Sequence, residues 1–198
     1  GGNWVPPDML PGTVTPGRYS ELVDLAVKAN FNMLRVWGGG LYADEALCEA
    51  CDERGVMLWH DFAFACGRYP GDGAYLVEVR REVTHQVRRL AHRACVVLWC
   101  GNNEIEWLQW DLDAAADRAG PHPSYVMFHR DIPHICRVED PSKPYWPSSP
   151  YSPDHELPHL DTCGDQHPWR VSIIEPGPAD FHLYRTHVDR FPNEGGLY

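Results

Sequence analysis

Short apolar runs alternate along this chain with longer stretches in which apolar residues recur every three or four positions. The runs read as strands and the periodic stretches as helices, so the alternation predicts βα units around a parallel sheet. Gly2 to Val5 forms a first strand, closed by Pro6-Pro7. Pro16 stands near the start of a helix whose apolar positions are Leu22, Leu25, Ala26 and Ala29. Asn32 to Trp37 is a second strand, ended by Gly38-Gly39-Gly40. The next helix carries Ala46, Leu47, Ala50 and Cys51, with Gly55 placed to terminate it. Val56 to Trp59 is a third strand that ends at His60-Asp61. The clearest helix has Leu76, Val79, Val83, Val87 and Leu90 on one face, with Arg and Glu opposite.

The second half continues the alternation. Val96-Val97-Leu98-Trp99 reads as a buried parallel strand that stops at Cys100-Gly101-Asn102-Asn103-Glu104. A helix around Tyr125 to Val138 and a short strand at Tyr145-Trp146 follow. Residues 147 to 168 are rich in Pro, Ser, His and Asp and read as a long loop, a kind of segment that is often functional in a compact domain. Gln166 to Trp169 is a sixth strand or its end, Phe181 to Val188 a last helix, and Phe191 to Glu194 the end of a seventh strand. A closed (β/α)8 barrel takes about 250 residues. The expected fold is therefore α/β, an incomplete (β/α)8 TIM barrel of about seven βα units without its last strand, with residues 1–198 as one barrel domain. An open doubly wound sheet is the alternative, but no G-x-G-x-x-G follows the first strand. The chain begins at Gly1-Gly2 rather than Met and enters a strand at once, so a piece excised from a longer protein is expected.

The 198 residues carry a formal charge of −11, which argues against a nucleic-acid partner because phosphate binding needs clustered Lys and Arg. No run approaches the roughly 18 apolar residues of a membrane span, and no signal peptide is visible. A membrane partner is not expected, and the cytoplasm is the favoured compartment. Seven irregularly spaced cysteines do not form a disulfide framework. Cys48 and Cys51 read as small apolar residues on one helix face, ahead of half a metal site.

The candidate chemistry lies where strands end. Polar groups at the carboxyl end of a buried strand are costly unless satisfied or used, and in α/β barrels that end carries the active site. Glu104 and Glu194 each follow an apolar approach, each stands next to an Asn, and each lies in a Gly-containing turn. Singly, either would be an ordinary loop carboxylate. Together they are what a glycosidase needs: one to protonate the leaving oxygen, the other to attack the anomeric carbon or activate water. Arg35 also ends an apolar strand, where an unpaired guanidinium would be expensive, so a salt bridge at the barrel rim is its structural alternative.

Asn3-Trp4-Val5-Pro6, Asn32 to Gly40, Trp59-His60-Asp61-Phe62, Trp99 to Glu104 and Asn193-Glu194-Gly195 occur in one order. In that order they resemble glycoside hydrolase family 2, in particular its β-mannosidases. The resemblance implies the catalytic barrel of a retaining, exo-acting enzyme on terminal β-D-mannosyl residues of an oligosaccharide or glycan, with no cofactor and no metal. It implies β-sandwich domains in the parent chain. It makes Glu104 the acid/base and Glu194 the nucleophile, gives Asn103 the sugar 2-hydroxyl, and puts Arg35 in the sugar pocket near Glu194. Asp61 matches a carboxylate able to bind mannose hydroxyls. Trp37 and Trp169 are candidate walls of the site, and core packing is their alternative. His167 is a further candidate, although a lone His in a Pro-rich loop is more often structural or exposed. Trp107 and Trp110 would shape the rim. Where many members have a Ser-Glu-Phe-Gly run, this chain has Asn193-Glu194-Gly195-Gly196. The nearest rival activities on the same fold are β-galactosidase, β-glucuronidase and exo-glucosaminidase. An inactive carbohydrate-binding fragment and a metal-dependent hydrolase are the readings from other classes.

Overall fold

A computed structural model describes residues 1–108, 123–153, 158, 160 and 162–167, and the statements that follow concern those residues. Five strands form one parallel sheet: β1 (Gly2–Trp4), β2 (Met33–Val36), β3 (Met57–Asp61), β4 (Val96–Cys100) and β5 (Tyr145–Trp146). Their spatial order is β1-β2-β3-β4-β5, the order of the sequence. Among the described residues this order never reverses. A doubly wound sheet needs a reversal at its switch point, so that alternative does not describe this sheet. The register puts Arg35 beside Trp59, and Asp61 beside Cys100 after a shift between Leu58 and Trp59.

The intervening helices are α1 (Pro16–Lys28), α2 (Glu45–Arg54), α3 (Gly73–Leu90) and α4 (Ile132–Glu139), the last entered through a π-helical turn at Met127–Asp131. Three of them begin at side-chain caps: Thr15 accepts from Arg18 N, Asp44 from Ala46 N and Asp72 from Tyr75 N. Gly55 ends α2 in the left-handed region at φ 66°, as its position in the sequence predicts.

The core lies between sheet and helices. Leu34, Val36 and Leu58 alternate out of the strands to meet Leu47, Cys48 and Cys51 of α2, and all five predicted apolar residues of α3 are buried. Cys48 and Cys51 are core residues of the helix face, and burial pushes the Cys51 thiol up to about 12. The expected face of α1 needs correcting. Leu25 is 56% exposed, whereas Val23 is fully buried, with Tyr19 and Ala26 packed against the core. The helix carries two overlapping apolar stripes, and the one at Tyr19, Val23 and Ala26 is turned inward.

Strand β3 ends at His60 and Asp61, as its sequence predicts. Both are buried polar residues whose bonding is met inside the protein. His60 Nδ1 donates to the Asp61 carbonyl at 2.8 Å, and its Nε2 accepts from Ala43 N at 3.1 Å. The expected last helix and seventh strand lie outside the described residues. Of the expected sixth strand, Gln166 and His167 are described and Pro168 and Trp169 are not.

Candidate active site

Side chains two apart on a strand share a face. Arg35 of β2 and Trp59 and Asp61 of β3 therefore leave the sheet on the side away from Leu34, Val36 and Leu58. Arg35 is only 3% exposed, and a guanidinium so buried must be paired. Its Nε donates to Asp61 Oδ1 at 3.2 Å and its Nη2 to Asp61 Oδ2 at 2.7 Å. Nη2 also reaches Asn103 Oδ1 at 2.9 Å, Nη1 lies 3.3 Å from His167 Nε2, and the guanidinium stands over the Trp59 ring. Asp61 accepts two further bonds, from Gly38 N at 3.0 Å and Trp59 Nε1 at 2.9 Å. Those four donors match the roughly four acceptor positions of a carboxylate. Gly38 is required for this approach: a Cβ there would stand 2.7 Å from the Phe64 carbonyl and 2.8 Å from that of Phe62.

The two asparagines after β4 divide the work. Asn102 is structural. Its Oδ1 accepts from Ile105 N and Ser148 Oγ, and its Nδ2 donates to the Pro147 carbonyl, which ties the turn to the segment after β5. Asn103 faces the buried arginine and donates from Nδ2 to Cys66 Sγ at 3.2 Å. Glu104 follows with φ 60°, a left-handed backbone that costs a non-glycine residue on the order of 1 kcal/mol or more. Its N–H donates to the Ser149 carbonyl at 2.7 Å. The side chain is 12% exposed, with Oε1 2.8 Å from His167 Nδ1 and Oε2 3.4 Å from Cys66 Sγ.

Thus Arg35, Asp61, Asn103, Glu104 and His167, read separately from the sequence, meet at the carboxyl ends of β2, β3 and β4. His167 is not an exposed loop residue; it is buried between Arg35, Glu104 and Ser149. Trp37 is half-buried and directly precedes Gly38, whose N–H donates to Asp61. Its ring covers Gly39 so closely that a Cβ there would lie 2.1 Å from Cη2, and its buried Nε1 has no hydrogen-bond partner. Trp107 is half-buried. Glu194, Trp169 and Trp110 lie outside the described residues.

Three residues of the cluster carry no mark in the sequence. Cys66 reads as one more small apolar residue, and only its left-handed backbone, at φ 48°, sets it apart. Ser149 and Asp165 sit in the long polar loop among many similar residues. Ser149 Oγ lies 2.9 Å from His167 Nε2 and 2.7 Å from Asp165 Oδ2, while Asp165 Oδ1 accepts from Trp146 Nε1 at 2.7 Å and Tyr151 N at 2.9 Å. Burial, the largest influence on Asp165, pushes its carboxyl above the usual carboxylate range.

No protein-family model matches the chain. Among curated proteins it is similar to β-mannosidase B of Thermothelomyces thermophilus, 38% identical over 180 residues, which is 86% of this chain and 21% of that protein. β-Mannosidase B of Emericella nidulans is 34% identical over 100% of this chain and 24% of its own length. A crystal structure of β-D-mannosidase from Dictyoglomus thermophilum superposes with a TM-score of 0.85 at 37% identity, covering 97% of this chain and 23% of that one. A Bacteroides uniformis β-glucuronidase shares the fold at 19% identity and a TM-score of 0.61, covering 73% of this chain and 17% of its own. The chain thus spans a fifth to a quarter of the curated relatives it matches. With its whole described sheet, its clustered strand-end residues and identity above 30% to β-mannosidases along nearly all of its length, the chain belongs to the β-mannosidases of glycoside hydrolase family 2.

Proposed function

We propose that residues 1–198 form a catalytic (β/α)8 barrel segment of a retaining exo-β-mannosidase, which removes terminal β-D-mannosyl residues by double displacement. The observation that carries this reading is the meeting of Arg35, Asn103, Glu104 and His167 at the carboxyl ends of neighbouring parallel strands. Glu104 protonates the glycosidic oxygen and then, as a carboxylate, draws a proton from water. Glu194 attacks the anomeric carbon. Asn103 spends its carbonyl on Arg35 and one amide hydrogen on Cys66; its second amide hydrogen is the group left for a sugar 2-hydroxyl. Asp61, already met by four donors, holds Arg35 in place rather than binding mannose. Trp37 and Trp169 flank the sugar. The substrate is a β-mannoside oligosaccharide or glycan. Neither nucleic acid nor membrane takes part, no cofactor is used, and β-sandwich domains accompany the barrel in the parent chain.

The full gene product that contains these residues is the material for the test. Among nitrophenyl glycosides it is expected to cleave the β-mannoside at least tenfold faster than the β-galactoside, β-glucuronide or β-glucosaminide; preference for one of those would overturn the assignment. Azide separates the two glutamates. Glu194→Ala should be inactive and rescued to the α-mannosyl azide. Glu104→Ala should keep activity on substrates with good leaving groups and give the β-mannosyl azide. The reverse pair of anomers would exchange the roles.

A further inference from the structure

Arg35 has only donors to offer, so its Nη1 at 3.3 Å from His167 Nε2 makes that nitrogen an acceptor. The neutral imidazole then carries its hydrogen on Nδ1, which donates to Glu104 Oε1 at 2.8 Å. An imidazolium would turn a second N–H against the donor of the same guanidinium. Ser149 Oγ, 2.9 Å from Nε2, must donate to it, and so has no hydrogen left for Asp165. The contact of 2.7 Å between Ser149 Oγ and Asp165 Oδ2 is then a hydrogen bond only if the carboxyl supplies the hydrogen.

We infer that Asp165 is a neutral carboxylic acid that, through Ser149, fixes the His167 tautomer presenting Nδ1–H to Glu104. This rests on the reading of Glu104 as the acid/base. The chain of donors runs Asp165 Oδ2–H to Ser149 Oγ, Ser149 Oγ–H to His167 Nε2, and Nδ1–H to Glu104 Oε1. With Oε1 engaged as an acceptor, the proton of the acid form sits on Oε2, the oxygen on the Cys66 side. When that proton leaves, the same Nδ1–H steadies the carboxylate for the second half of the reaction. If Asp165 loses its proton, Ser149 donates to Asp165 instead, Arg35 Nη1 alone holds Nε2 as an acceptor, and the share of the Nε2–H tautomer rises, in which Nδ1 is an acceptor that draws the Glu104 proton to Oε1. No atom is gained in this change, and the one proton lost is that of Asp165. Asp165 and Ser149 are positioning residues, since neither touches the reacting atoms.

The surroundings favour the neutral acid. Asp165 is almost wholly buried, and its other oxygen is met by the Trp146 and Tyr151 N–H groups. Among the described residues, the charged and titratable groups facing the network include Arg35 from β2, paired with Asp61 of β3, Glu104 and the thiol of Cys100 from the β4 end, and Cys66 after β3. Burial raises the Asp165 carboxyl, in the direction the hydrogen-bond logic demands.

The experiment pairs Asp165→Asn with Asp165→Ala in the full gene product. An asparagine can still donate to Ser149; an alanine cannot. Asp165→Ala should lower kcat/KM for β-mannobiose, whose sugar leaving group needs the acid, about 10- to 100-fold, and Asp165→Asn should recover most of that loss and extend activity to higher pH. An asparagine variant as damaged as the alanine one would overturn the proposal, because an ionised Asp165 would then be what the site requires. Nitrogen-15 NMR of the histidine ring reads the tautomer without turnover: Nδ1–H is expected at neutral pH in the wild type and in Asp165→Asn. An Nε2–H tautomer in the wild type would overturn it. Ser149→Ala serves if Asp165→Ala does not fold, and should lose the pH dependence of the tautomer. If Nδ1–H is found but Glu104→Ala shows no dependence on the leaving group, the acid/base reading falls while the tautomer assignment stands.

Discussion

At the scale of single residues, the site is organised around one buried cation. Arg35 spends its donors on Asp61, Asn103 and His167 from three different parts of the chain, so each partner's position depends on it. Removing its counter-charge should therefore be severe. Asp61→Asn takes from a buried guanidinium the carboxylate that grips its Nε and Nη2, and breaking a buried pair in this way costs about 3–5 kcal/mol. Urea unfolding of that variant is expected to show a loss in this range; a loss below about 1 kcal/mol would mean that solvent reaches Arg35. Arg35→Lys retains the charge but not the fork that grips Asp61 and Asn103 together. Its activity should fall far more than its stability, a split that steady-state kinetics beside the same unfolding curve would reveal.

At the scale of elements, the chain was most legible where one pattern had one solution. The stripe of Leu76, Val79, Val83, Val87 and Leu90 permits a single inward face, and α3 turns that face to the core. Caps and Gly55 mark helix ends by local chemistry alone. In α1 two stripes overlap, and only the neighbouring helix and sheet choose between them. Hence Leu25→Ala should change stability by no more than about 0.5 kcal/mol, whereas Val23→Ala, which empties a fully buried position, should cost on the order of 1–3 kcal/mol. Equal costs would put the face back where the periodicity alone sets it. The site was legible in part for the same reason. Arg35 and Asp61 interrupt apolar strands and Asn103 and Glu104 follow one closely, which makes these polar residues conspicuous. Cys66, Ser149 and Asp165 lie in loops, where polarity is ordinary and only tertiary contact gives them a task.

At the scale of the whole molecule, His60 ties stability to pH. It is fully buried, accepts from Ala43 N, and burial lowers its pKa to about 4 from an ordinary 6.5. The unfolded chain takes up a proton first, so the folded state is fully stabilised above about pH 6.5 and loses stability as pH falls toward 4. The loss amounts to about 3 kcal/mol at about 1.4 kcal/mol per pH unit. His60→Gln should flatten that part of the stability profile; an unchanged slope between pH 6.5 and 4 would assign it to other groups.

In the proposed reaction two carboxyls meet at one sugar, and their spacing selects the stereochemistry. The described strands follow one another in sequence order, with Glu104 at the carboxyl end of β4. If the sheet curls on as a barrel wall, a later strand returns across the mouth, where Glu194 can face Glu104. A retaining enzyme needs its carboxyls about 5–5.5 Å apart, while an inverting one keeps about 6.5–9.5 Å to admit a water. The shorter spacing is expected in a crystal structure of the full gene product. That spacing would suit the proposed chemistry: two carboxylates so close would not both ionise easily, so one would stay protonated as the acid. The product anomer decides between the two geometries. Proton NMR of the first sugar released from a β-mannoside should show β-mannose, formed by two inversions, before mutarotation supplies the α form. If α-mannose comes first, water has displaced the leaving group directly, the glutamates stand too far apart for a covalent intermediate, and Glu194 is a base rather than a nucleophile.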